Sequence, residues 1–329
     1  MSHADSRPAT TDDARAELAR LVTAGLIFIV YFCLVEAAVG WRELLRQFAA
    51  AGALPLALAA GGLGGSYALR ALRLVQVLAP AAVGAAATPA RPAPPEAAPG
   101  FLCLLRCLLL NNAANWLLPA RAGDLGLPLL LHREAGLPKA RGVGVLLWLR
   151  LLDLQALAGI GGLTFALTAD GVARLGGLAA LAGSAVAPLV IARAAPLLSA
   201  RVPRLAPALE LLHRPAGAFA RDIGLTWLAW GVKLVALGAV LALVGALPFG
   251  AGLAGAIGGD LSTVLPVHAP LGAGSFESGV LLAMTPWGLP AAGLLAAAVQ
   301  LHLLMLAVAL AATGASLLIP SRIPSQERP

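Results

Sequence analysis

Asn115-Trp116-Leu117-Leu118-Pro119-Ala120-Arg121-Ala122-Gly123-Asp124 interrupts a long apolar run in the first half of the chain. Leu265-Pro266-Val267-His268-Ala269-Pro270-Leu271-Gly272-Ala273-Gly274-Ser275-Phe276-Glu277 interrupts another in the second half. Hydrocarbon offers no water to replace a lost backbone hydrogen bond, so a membrane helix normally stays whole. Pro119 removes a donor and strains the preceding turn, and Gly123 permits a sharp reversal. Pro266, Pro270, Gly272 and Gly274 break the second run, and Glu277 opens the helix after it. Breaks in matching positions of two halves are how membrane folds build a polar site near the bilayer midplane. Both segments share the layout LP…G…acid, which raises an inverted repeat.

The rest of the chain makes these breaks intramembrane. Apolar residues form 59% of the 329 residues and charged residues 12%, about half the roughly 25% charged content of a soluble domain. Mean hydropathy is +0.86, and several runs approach the ~20 residues that cross a bilayer. The expectation is an all-α polytopic integral membrane protein of about eight spans, two of them broken or re-entrant. The spans read as 21–40, 51–69, a broken pair over 101–131, 143–168, 175–195, 223–244, 250–265, a short 272–284, and 289–311. Residues 1–20 and 315–329 read as tails, and 80–100 as a Pro-rich linker within a membrane domain over 21–314. The N-terminus lacks the apolar core and cleavage site of a signal peptide, so residue 21 onward reads as a retained anchor.

Net charge is +7, but its placement speaks of topology rather than nucleic acid. The tails with 70–100, 121–141 and 193–221 hold 17 of the 23 Lys and Arg, against Arg42, Arg46 and Arg174 on the other side. By the positive-inside rule both termini are cytoplasmic, in a bacterial inner membrane. That topology closes only if 101–131 enters and leaves by the cytoplasmic face. Gly61 with Gly65 suits close helix packing, and Trp227 and Trp230 stand near a span end, as in an aromatic belt. Cys33, Cys103 and Cys107 lie in apolar surroundings and read as buried structural thiols, with no metal or cofactor site expected.

Three constellations carry polar chemistry. Asn111, Asn112 and Asn115 precede the first break, where their amides can satisfy freed backbone groups, and Arg121 and Asp124 follow. A guanidinium fork suits phosphate, while the alternative is an interfacial Arg that snorkels. In the second segment, two helix N-termini facing one another would attract an anionic headgroup. Arg150 and Asp153 share a helix face, where they either line a polar cavity or neutralise one another. Glu36, Lys233 and Asp260 are weaker candidates, with Asp260 a further cavity-lining residue. HExxH, GxSxG and P-loop motifs are absent, so no enzyme signature stands out.

In these constellations the chain resembles the flippase-like membrane family typified by the transmembrane region of lysylphosphatidylglycerol synthase. The family pattern N-x-hydrophobic-hydrophobic-P-x-R-x-G-E/D falls on Asn115, Pro119, Arg121, Gly123 and Asp124. Its E-R-x-x-D falls on Arg150 and Asp153, and its P-x-G-x-G-x-x-E on Pro270, Gly272, Gly274 and Glu277. Arg70-Ala71-Leu72-Arg73 also looks familiar. Leu149 and Leu271 depart from the family's Glu and Gly, and no Arg stands near Leu127. The resemblance implies a stand-alone lipid transporter for phospholipids, hopanoids or polyprenyl-linked lipids, without lysyl transfer. Arg121 and Arg150 would hold an anionic headgroup, with Asn115 and Asp153 in the same site. Asp124 and Glu277 would orient the arginines. The alternatives are a membrane transferase with Asp124 or Glu277 as general base, and an accessory subunit working with envelope lipid-synthesis enzymes.

Overall fold

The computed structural model describes residues 11–79, 99–118, 123–202, 215–264 and 270–321. Pro119, Arg121 and Pro266 lie outside them, as does nearly all of the Pro-rich linker. The described residues form helices and connecting turns, with no strand among them. In chain order the helices are α1 (Thr11–Ala38), α2 (Trp41–Ala51), α3 (Leu54–Leu78), α4 (Phe101–Leu117), α5 (Gly126–Ala135) and α6 (Lys139–Thr168). There follow α7 (Gly171–Arg201), α8 (Ala216–Gly245), α9 (Phe249–Val264), α10 (Ser275–Met284) and α11 (Ala291–Leu317).

Four helices can cross a bilayer alone by length and composition: α6, α7, α8 and α11. The pair α2 and α3, bent by 85°, makes a fifth if it is one span. The eight expected spans therefore include pieces too short to cross. At 1.5 Å per residue, α9 with 16 residues reaches about 24 Å, short of the ~30 Å hydrocarbon core. With 10 residues, α10 is shorter still. These are broken spans, packed directly against one another: a Cβ on Gly258 would strike the carbonyl of Gly279, and the reverse holds too.

The outward face is apolar, with Leu147, Leu154, Val190, Val235 and Leu310 exposed. Lipid is as apolar as these side chains, so close approach rather than hydrophobic burial must hold the helices together. Small residues provide it, though not where expected. Gly61 has open space beside it, while Gly62 meets Ala236 and Gly65 meets Val232 on α8. The face of α3 turned to α8 thus follows a spacing of three rather than four.

Two further expectations change. The α3 helix runs on to Leu78, placing Arg73 at 2% exposure inside the protein. Arg70 and Arg73 are wall residues of the interior and leave the cytoplasmic charge count. Trp230 is buried and Trp227 bonds Gln155 at 2.9 Å, so neither forms a belt. Cys103 and Cys107 are buried, but Cys33 is exposed on α1.

Candidate functional site

Inside the helices lies a two-lobed cavity whose lobes share Tyr67, Arg70, Asn112, Asn115 and Arg150. The larger lobe extends to Lys233, Asp260 and Gly272, the smaller to Arg73 and Asp153. The larger lobe is open to its surroundings, with about 730 Å³ of empty space when that outside its mouth is included.

Asp153 is the hub of the smaller lobe. Its Oδ1 accepts from Arg73 Nη1 at 2.9 Å and from Trp230 Nε1 at 3.1 Å, and its Oδ2 from Arg150 at 3.3 Å. The three donors come from α3, α8 and one turn earlier on α6 itself. Arg73 also donates to Thr226 at 2.7 Å. Arg150 pairs in addition with Asp124, which accepts from Asn115. Both sequence readings of Arg150 and Asp153 hold together: they neutralise one another and they line a cavity. Asp124 reaches Arg150 because the chain doubles back at Gly123, where a Cβ would strike the backbone of Ala114 and Asn115.

In the larger lobe Lys233 pairs with Asp260 at 2.7 Å. The Arg70 guanidinium carbon lies over the Trp230 ring, 4.4 Å from its centre, and the Lys233 ammonium 5.0 Å from it. Asn112 donates to the Tyr67 hydroxyl at 3.1 Å. Sequence reasoning missed Arg70, Tyr67 and Trp230 as cavity residues. An Arg-x-x-Arg at a span end reads as an interfacial flank, and only the length of α3 distinguishes the two.

Glu277 is placed differently from expectation. It is 3% exposed, and among the described residues it binds no arginine. Its Oε2 accepts from the Gly274 N–H at 3.0 Å, and its Oε1 meets Tyr31 Oη at 2.8 Å and His302 Nδ1 at 2.7 Å. The α10 N-terminus therefore already has its own anion, and it does not wait for a headgroup. His302 Nε2 lies 2.8 Å from the Leu271 carbonyl. A carbonyl only accepts, so Nε2 carries a proton, and one further proton must be shared between Nδ1 and Glu277.

The flanks of the two breaks meet. Trp116, at the end of α4, lies 5.8 Å from the His302 ring, and a Cβ on Gly272 would sit 3.4 Å from Trp116. Trp116 and Gly272 both line the larger lobe. Gly272 and Gly274 have φ of +75° and +76°, a conformation that favours glycine. Pro270 starts the turn before them. A family model, lysylphosphatidylglycerol synthase TM region, matches residues 19–313.

The chain belongs to that family. No curated protein and no solved structure matches it. As a member of the lysylphosphatidylglycerol synthase TM region family, it is a membrane protein related to lipid metabolism or transport. The family match covers both breaks and every residue that lines the cavity.

Proposed function

We propose that this protein carries an amphipathic lipid between the leaflets of a bacterial inner membrane. The polar headgroup passes through the two-lobed cavity while the acyl chains stay in hydrocarbon. One observation carries the reading: a cavity walled by arginine, lysine, aspartate and asparagine lies among helices whose outer face is apolar. Ionisable groups within a membrane are costly and mark substrate paths.

Both carboxylates considered as general bases are engaged, Asp124 with Arg150 and Glu277 with His302 and Tyr31. That favours carriage over transfer. Envelope lipid-synthesis enzymes would supply the cargo. Both termini face the cytoplasm: without Arg70 and Arg73, the cytoplasmic segments still hold 15 of the 23 Lys and Arg, in keeping with the positive-inside rule.

Purified protein in vesicles with headgroup-labelled phospholipids, hopanoids and polyprenyl-linked lipids tests this. At least one class should cross faster than in protein-free vesicles. No acceleration across that panel sinks the proposal.

A further inference from the structure

Among the described residues, the charges of the cavity do not cancel. Arg70, Arg73, Arg150 and Lys233 stand on its walls, against Asp153, Asp260 and the Asp124 that holds Arg150. Three of the four cations pair directly: Arg73 with Asp153, Arg150 with Asp124 and Asp153, Lys233 with Asp260. Arg70 forms no hydrogen bond or ion pair through its side chain among the described residues, and its Nε and Nη2 are buried without a partner. It lines both lobes. Buried donors left unmade are expensive, and a buried charge without a partner more so.

We propose that Arg70 is the seat of a phosphate monoanion, with its guanidinium fork on two phosphate oxygens and held over Trp230. This rests on the reading of the cavity as a headgroup path and names the chemistry the path selects. The Trp230 ring holds the Arg70 guanidinium in place by a cation–π contact, and the Nε and Nη2 donors of Arg70 are left for the ligand. Arg150 Nε and the Ser66 hydroxyl are further buried groups without partners in the lobes that Arg70 lines. The single excess positive charge among the described residues matches the single negative charge of a phosphodiester. Arg150 is thereby reassigned: held by two carboxylates, it shapes the wall, and Arg70 takes the anion.

Binding to the full-length purified protein tests this without any translocation. The probes are dihexanoyl phosphatidylglycerol, dihexanoylglycerol without phosphate, and inorganic phosphate, followed by calorimetric titration. Wild type should bind the phosphodiester at least about tenfold more tightly than the phosphate-free lipid, and Arg70→Gln should erase that preference. Failure of inorganic phosphate to compete identifies the lipid headgroup as the source. Competition at equal concentration identifies free phosphate, and Arg70 remains the seat. Folded Arg70→Gln that keeps the preference overturns the proposal. If Arg70→Gln does not fold, Arg70→Lys decides: the charge stays but the fork is lost, so the preference should fall several-fold, and an unchanged preference overturns it. Phosphate binding without lipid movement would contradict carriage alone. Lipid movement with an unchanged preference in the Arg70 variants would contradict the seat alone.

Discussion

Asp153 joins three helices through one carboxylate, and its value lies in that convergence rather than in any single contact. Arg73, Arg150 and Trp230 all donate to it. Removing one partner of a buried ion pair leaves the other charge uncompensated, at a cost of about 3–5 kcal/mol. Asp153→Asn should therefore lower the thermal unfolding midpoint in detergent strongly. The double variant Arg73→Leu, Asp153→Leu should lose less than the sum of its single changes, because neither member of the pair is left behind as an uncompensated charge. Strict additivity would show that the pair is not coupled. Arg150 and Asp153 were legible in the sequence, since a spacing of three puts ionisable residues on one face of an apolar helix. Arg70 and Arg73 were not. Their spacing is the same, but their place near the expected end of a span matches cytoplasmic flanks, and burial at that depth depends on how far α3 continues. Glu277 was legible as the opening residue of a helix. Its partners, Tyr31 and His302, sit 246 and 25 residues away, and nothing local announces them.

The broken spans are the elements on which the site depends. After Pro270, Leu271 takes a φ of +58° and Gly274 one of +76° before α10 begins. The reversal brings Gly272 to Trp116 and so joins the two breaks. The α9 and α10 helices can lie together there because Gly258 and Gly279 place backbone against backbone. Gly279→Val should push them apart and lower the unfolding midpoint, at a cost of about 1–3 kcal/mol for an overpacked contact. Gly183→Val, where the space is open, should change it little. Equal effects at both positions would show that the α9–α10 contact is not tight. The Pro and Gly punctuation of both breaks was readable, because only those residues release the backbone of an apolar run. The α2 helix was not, since Trp41–Ala51 carries Arg42, Glu43 and Arg46 and reads as a polar connection. Its turn onto α3 is set by tertiary contacts, Leu44 packing with Val299 and Gln47 accepting from Gln300.

Across the molecule, an apolar exterior and an apolar packed core enclose a charged cavity. The composition made the class of the fold plain, and the charge asymmetry the proposed orientation. The cavity itself was not readable, because its walls come from α3, α4, α5, α6, α8, α9 and α11 and from the turn at Gly272. The account's central claim is that a lipid headgroup passes through this space. Asn112 stands on the wall common to both lobes, and in a Cys33→Ser background Asn112→Cys offers a thiol there, Cys103 and Cys107 being buried. The decisive measurement is lipid translocation in vesicles by this variant before and after attachment of a bulky methanethiosulfonate group. Translocation should proceed before modification and fall at least about tenfold after it. Modified protein that moves lipid at the unmodified rate would contradict the claim.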